Sequence, residues 1–409
     1  MTKVLIIGGG IAGSVTAIAL RKAGIDSVVY EAYDRGAEGV GAYLTLAVNG
    51  LDALRSLDLD EVVQGEGFDT PRIALFLGSG RRLADMSLGT LADGTVARTV
   101  KRAGLYRALR DEAVRRGVGM EHGKRLVGAE STSEGVIARF ADGTQAEGGL
   151  LVGADGLHSM TRRIIDPAAP HARYVGLLNT GGYARGVSVD AEPGVMNMVF
   201  GKRCFFCYFL APDGAVWWFA NPWRPKEPSS EELAAITPER WRAQLIELFE
   251  EDATPAVEII LATPEIFSGW NTYDFPSVPR WHNGRMVIIG DAAHAASPSS
   301  GQGASMAIED AVVLARYLRD AASVSDALEA YERARRARVE AIVKHGRRSS
   351  QTKENGLVGR VMRDLVLRMV FKFQARRGAD PLRWMWDYHI DWDAPALASS
   401  TELVGSQRV

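Results

Sequence analysis

Gly8-x-Gly10-x-x-Gly13 leaves this chain few folds to choose from. It follows Val4-Leu5-Ile6-Ile7, a short run that is apolar on both faces, as a strand buried in a parallel sheet requires. Gly8 permits a tight turn, Gly10 lets a pyrophosphate approach the backbone, and Gly13 allows a helix to pack closely on the strand. The pattern predicts a helix over 14–23 that stops at Gly24 and a second strand over 26–31. A right-handed crossover between parallel strands then makes a doubly wound sheet the default. The Ile11 and Ala12 amides at the positive end of the helix dipole suit phosphates, and Glu31 at the strand end suits a ribose hydroxyl. This opening specifies a dinucleotide, without choosing between FAD and NAD.

Two later segments make that choice. Leu150-Leu151-Val152 and Met286-Val287-Ile288-Ile289 are further buried strands that run into Gly153-Ala154-Asp155-Gly156 and Gly290-Asp291. After the second comes Pro298-x-x-Gly301-Gln302-Gly303-Ala304, and a helix begins near Ser305. A nicotinamide dehydrogenase has no use for a second glycine-rich helix start far downstream, whereas a flavin needs support for its ring and ribityl chain. Asp291 is expected to accept from a ribityl hydroxyl. The Gly303 and Ala304 amides are expected at the N1 and O2 edge, where negative charge collects on reduction. His294 reads as a core histidine.

Residues 73–97 and 176–274 differ in character, with turn glycines, alternation and many aromatics. The fold class expected is α/β: a discontinuous doubly wound, Rossmann-like FAD-binding domain (1–72, 98–175 and 275–350) with an inserted, mainly antiparallel β substrate domain (73–97 and 176–274). A C-terminal helical segment (351–409), including a basic stretch at Val358–Arg377, completes it. The run Trp217-Trp218-Phe219-Ala220-Asn221-Pro222-Trp223 suits a pocket wall and a sheet core equally. Cys204 and Cys207, three apart on a strand, face opposite sides and read as buried hydrophobes, with no metal expected.

A formal net charge of −2 gives no basic footprint for nucleic acid or an anionic membrane. Two cysteines build no disulfide framework, so a reducing compartment is the simpler expectation. Neither a signal peptide nor a membrane span is predicted, and the expected location is cytoplasmic.

Gly8–Gly13, Gly153-Ala154-Asp155-Gly156-x-x-Ser159-x-x-Arg162 and Gly290-Asp291-Ala292-Ala293-His294 together resemble the three signatures of single-component FAD-dependent aromatic hydroxylases, the family of p-hydroxybenzoate, salicylate and urate hydroxylases. The likeness runs from residue 1 to about 345. Lesser matches are Tyr30-Glu31-Ala32, Gly41-Ala42-Tyr43-Leu44-Thr45, Arg102 as an FAD-contacting arginine and Leu126 as an adenine neighbour. The resemblance implies that Asp155 serves FAD and the nicotinamide donor, and that Pro298, Gly301, Gln302, Gly303, Ala304 and Ser305 surround the ring. It implies a cycle in which NADPH or NADH reduces FAD and oxygen adds at C4a. One oxygen atom then enters an aromatic or polycyclic small molecule, in a pocket kept dry. Tyr183-Ala184-Arg185-Gly186 resembles a segment that brings an arginine to flavin and substrate, making Arg185 the candidate catalytic residue. Partners expected are the aromatic substrate and O2, in a monomer or homodimer. Two positions depart from the pattern. Ser305 stands where the family often has Asn, and Ser299 stands where urate-type enzymes carry an acid. Alternatives on the same fold are a flavin-dependent reductase or dehydrogenase, a halogenase, or a flavoprotein without catalysis.

Overall fold

The computed structural model describes residues 3–34, 43–351, 353 and 382–396. The basic stretch at Val358–Arg377, most of the expected tail, and Gly41 and Ala42 lie outside the described residues.

A six-stranded sheet has the order β18 (His282–Asn283), β19 (Met286–Ile288), β12 (Leu150–Gly153), β1 (Val4–Ile7), β2 (Ser27–Tyr30), β8 (Gly119–Glu121). Every neighbouring pair is parallel except β18, which returns against β19. Register decides what this sheet presents. Ile7 pairs with Gly153 and with Tyr30, and Gly153 pairs with Ile288, so three glycine-bearing turns leave the sheet side by side. All residues of β1, β2, β12 and β19 are buried, which is why their sequences are almost continuously apolar. Each fully buried Val, Leu or Ile contributes about 1.5–3 kcal/mol.

Helix α1 (Ile11–Lys22) packs against α10 (Gly303–Asp320), and α10 in turn against α2 (Val48–Arg55) and α11 (Val324–Gln351). Both helices that follow glycine-rich turns begin earlier than their sequence pattern predicts, α1 at Ile11 and α10 at Gly303. Helix α3 (Asp60–Gln64) leads to α4 (Arg102–Arg115), and α12 (Arg383–Trp386) packs near α2.

A seven-stranded sheet has the order β17 (Trp270–Asp274), β13 (Arg173–Ala184), β16 (Val216–Asn221), β15 (Phe205–Leu210), β14 (Met196–Phe200), β5 (Arg72–Leu77), β6 (Arg82–Ser87). It is antiparallel except between β14 and β5. Strand alternation splits its aromatics between two cores. Phe205, Cys207, Phe209 and Trp217 belong to the core shared with the parallel sheet, whereas Cys204, Phe206, Tyr208 and Trp218 pack with residues of α7 (Pro238–Phe249) and α8 (Ala256–Leu261). The aromatic run is therefore sheet core on both faces. Cys204 and Cys207 do face opposite sides.

Two three-stranded sheets complete the frame: β11 (Gln145–Gly148), β10 (Val136–Phe140), β9 (Leu126–Ser131), and β3 (Tyr43–Leu46), β7 (Arg98–Lys101), β4 (Phe68–Asp69). Short helices α5 (Met160–Ile165), α6 (Ser230–Ala234) and α9 (Asp291–His294) follow strand ends or turns. No described helix is long and apolar enough to cross a membrane.

Candidate flavin site

The amino-terminal turn has little room for other residues. Gly8 has φ +101°, and a Cβ there would come within 2.5 Å of the Ala154 carbonyl oxygen, so the first two turns are pressed backbone to backbone. A Cβ on Gly13 would fall inside the Gly8 carbonyl oxygen. Because α1 starts at Ile11, the amides of Ile11, Ala12 and Gly13 lie in its first turn, where helical amides have no intrahelical acceptor. Glu31 is buried, and its Oε2 accepts from the Gly9 N–H at 2.7 Å while Oε1 accepts from the Tyr33 N–H at 3.0 Å. Glu31 thus ties the end of β2 to the glycine turn, with half-buried Ala32 next to it. Leu126 is buried at the start of β9, and Arg125 lies 5.5 Å over the exposed Tyr33 ring.

Arg102, Tyr106 and Asp291 join this turn to the third one. A Cβ on Gly10 would lie 3.2 Å from the Tyr106 ring. The Tyr106 hydroxyl accepts from Arg102 Nη2 at 2.9 Å, and Arg102 is close enough to Asp291 for the two charges to interact. Arg102 Nε is buried and, among the described residues, has no hydrogen-bond partner, which leaves an open donor. Asp291 is exposed at the first position of α9, and among the described residues no hydrogen bond holds its carboxylate. Beyond it lie exposed Pro298 and Gly301, then the half-buried Gly303 and Ala304 that begin α10.

A glycine cradle, an unpartnered arginine donor, a free carboxylate and a second helix start fit a phosphate–ribityl–ring molecule such as FAD. Residues 1–346 match the family model described as an FAD binding domain. The chain belongs to the FAD-binding monooxygenase family.

Relatives bear on the chemistry. The FAD-dependent urate hydroxylase of Klebsiella pneumoniae subsp. pneumoniae is 32% identical over 355 residues, covering 85% of this chain and 89% of the relative. The 3-amino-4-hydroxybenzoate 2-monooxygenase PtnB3 of Streptomyces platensis is 33% identical over 366 residues, covering 84% and 87%. The crystal structure of Klebsiella pneumoniae HpxO complexed with FAD and uric acid superposes with a TM-score of 0.80 at 28% identity, over 94% of each chain. This FAD-dependent monooxygenase therefore shares their enzyme class and architecture.

Several expected site residues turn inward in this monooxygenase. Gln302 is fully buried and accepts from Asn49 Nδ2 at 2.9 Å, and Ser305 Oγ accepts from the Ala47 N–H at 3.3 Å. Both side chains fix α10 on the chain around α2, so what they offer a flavin is backbone. Thr45 Oγ1 is 2.8 Å from Thr99 Oγ1 and joins β3 to β7. The Asp155 carboxylate is occupied by Ser159 Oγ at 2.5 Å, the Thr161 N–H at 2.9 Å and Thr161 Oγ1 at 3.0 Å. Arg162 then reaches across to donate to the Ala292 carbonyl at 3.0 Å, stacked 4.3 Å over Phe275. The second signature is thus a clasp that holds the helix bearing Asp291. Arg185 lies on the exposed turn after β13, 67% accessible, and donates to Asp213 Oδ2 at 2.7 Å. Its partner there belongs to the turn between β15 and β16.

Sequence reasoning missed a buried ionic network beneath the site. Asp310 Oδ2 accepts from the Gly290 N–H at 2.9 Å and meets His294 Nε2 at 2.5 Å. Arg335 bridges Asp310 (2.8 Å) and Glu309 (2.7 Å), all three fully buried. Glu309 also takes Asn49 and Arg338. Burial alone would push the Asp310 carboxyl up; His294 and Arg335 more than reverse this and bring it to about 2. Glu309-Asp310 on an otherwise apolar helix face, followed by arginines on the next helix, was the available signal.

Proposed function

We propose that this enzyme uses NADPH or NADH and O2 to place one oxygen atom on an aromatic or polycyclic small molecule. One observation carries the reading. The face of the seven-stranded sheet turned toward the parallel sheet carries a wall of aromatic side chains, Phe205, Phe209 and Trp217 among them. Tyr43, on β3, packs into this wall with its ring 5.5–6.3 Å from those of Tyr183, Phe209, Trp217 and Phe219. Such a wall stacks an aromatic ring and excludes water, which an oxygen-transferring site requires. Bound FAD supplies the electron transfer from the donor to oxygen and the delivery of one oxygen atom to the substrate.

The chain's own groups bind and orient. Gly8–Gly13 and Glu31 take the pyrophosphate and ribose, Leu126 and Ala32 border the adenosine, and Arg102, Thr45 and Asp291 flank the pyrophosphate and ribityl chain. The amides of Gly303 and Ala304, supported by the start of α10, face the ring edge. Asp155 acts through the clasp it makes with Ser159 and Thr161. Arg185 is assigned to the crevice rim, where release from Asp213 frees its guanidinium for donor or substrate. Ser299 offers no carboxylate where the resemblance places one in urate-type enzymes, so a substrate other than urate is favoured.

The test is a substrate screen scored by stimulated NAD(P)H oxidation, followed by turnover under 18O2. Incorporation of one labelled atom is expected. Substrate oxidation without label would replace this reading with a dehydrogenase, and no turnover on any aromatic would favour a non-catalytic flavoprotein.

A further inference from the structure

Among the described residues Lys353 is a cation without a carboxylate partner, set against the aromatic face of the seven-stranded sheet. Its N–H donates to the Ser350 carbonyl at 2.9 Å, and Ser350 Oγ is 2.7 Å from Ser297 Oγ, on the turn that leads into Pro298–Gly303. The lysine therefore sits one turn beyond the residue that fixes the loop assigned to the flavin ring. Its side chain crosses to the seven-stranded sheet. Nζ donates to Asn221 Oδ1 at 2.7 Å and stands 3.9 Å over the Phe205 ring centroid and 5.9 Å from that of Phe219.

Strand register locates this point on the aromatic wall. Phe205 pairs with Asn221, Cys207 with Phe219, and Phe209 with Trp217. Lys353 thus covers one end of the wall. Lys101, 5.2 Å from the Tyr183 ring and 5.6 Å from Trp217, covers the other. Lys101 is exposed and has Asp213 nearby. Lys353 is half-buried, its ammonium set among the buried Phe205, Cys207 and Asn221, and among the described residues no carboxylate pairs with it. An ammonium has three donors, and one neutral amide oxygen with two ring faces, its contacts among the described residues, leaves its charge uncompensated by them. The Tyr43 hydroxyl, on the same wall, is buried and unpartnered.

We propose that Lys353 is the substrate-anion anchor of this enzyme, binding the carboxylate of an acidic aromatic ring laid along the Phe205–Phe219–Trp217 wall. The assignment rests on the function proposed above for the same crevice. Burial lowers the Lys353 ammonium to about 8, and the thiols of Cys207 on β15 and of Cys204 just before it oppose that shift only in part. Affinity for acids is therefore expected to fall as pH rises through this value, while affinity for neutral analogues stays level.

The FAD-loaded wild type, Lys353→Met and Lys353→Arg are titrated with 4-hydroxybenzoate, salicylate and 3-amino-4-hydroxybenzoate and with their amides, read by the flavin absorbance change. At pH about 7 at least one acid is expected to bind the wild type about tenfold or more tightly than its amide. Lys353→Met loses this preference with FAD retained, and Lys353→Arg keeps it. At pH about 9.5 the wild type loses it and Lys353→Arg does not. A wild type in which no acid outbinds its amide, or a Lys353→Met protein that keeps the preference, overturns the proposal. Should Lys353→Met fail to fold, a wild-type preference that is unchanged across this pH range overturns it. Oxygen incorporation is scored separately, so a failed monooxygenase reading with an intact acid preference is distinguishable from the reverse.

Discussion

Asp291 and Gly13 fail in different ways when altered, because one is free and the other enclosed. The Asp291 carboxylate is exposed and holds no described partner, so Asp291→Ala costs the apoprotein little. A hydrogen bond to a charged group contributes about 1.5–3 kcal/mol. Asp291→Ala is therefore expected to raise the FAD dissociation constant by about tenfold to a hundredfold, read by fluorescence titration, with circular dichroism unchanged. Normal occupancy removes the residue from its role. Gly13→Ala is expected to damage the fold itself, since the added methyl occupies the place of the Gly8 carbonyl. Overpacking of this kind costs about 1–3 kcal/mol or more, visible as a lower denaturation midpoint before any cofactor is added. Arg185→Ala gives the reverse pattern. Its exposed pair with Asp213 adds about 0–1 kcal/mol, so stability and FAD content are expected to hold while donor-dependent reduction or product formation falls. Wild-type rates retire it. At this scale the sequence was legible wherever a residue works through its backbone or through being small. It was less legible for Gln302, Ser305 and Asp155, whose side chains turn to Asn49, Ala47 and Thr161. No pattern along the chain shows which way a polar side chain at a turn will point.

Helices α10 and α11 hold the third turn through Asp310, Arg335 and Glu309, and the sign of that network's pH dependence follows from its geometry. The Asp310 carboxyl lies near 2, below the ordinary value of about 3.9. Its contribution to stability is complete above the ordinary value and is lost as pH falls toward 2. Acid unfolding of wild type is accordingly expected to include proton uptake in this window, and Asp310→Asn is expected to flatten it, measured by urea midpoints at stepped pH. Arg335→Met removes the bridge between two fully buried carboxylates, leaving Glu309 to Arg338 and Asp310 to His294, and breaking a buried pair of this kind costs about 3–5 kcal/mol. Loss of FAD should accompany that destabilisation, because Gly290, immediately before Asp291, is hydrogen-bonded to Asp310. An Arg335→Met protein of wild-type stability would contradict this account. The helices themselves were readable from periodicity, although both cofactor-facing ones begin earlier than predicted. Glycine lowers helix propensity, so a helix start inside a glycine-rich turn is masked in the sequence.

Across the whole molecule, the flavin is expected to act as a cross-link between segments near residues 10, 102, 155 and 291. A ligand that binds only the native state at a hundred times its dissociation constant adds about 2.7 kcal/mol. FAD should therefore raise the unfolding midpoint of the apoprotein, and Gly10→Val should abolish that rise by driving a side chain toward Tyr106 and the phosphates. A midpoint insensitive to FAD would count against convergence of the segments. The sequence by itself determined the parallel strands, the three turns and the doubly wound class. Each rests on local rules: apolar runs for strands buried on both faces, and glycine where backbones or phosphates approach. It also placed the aromatics on one sheet. Only the tertiary structure decided which aromatics face the parallel sheet, that Arg185 pairs with Asp213, and that Lys353 reaches Asn221 from 132 residues away. Those outcomes depend on strand register and on contacts between distant segments, and a linear pattern carries no information about which distant partner a charge will meet.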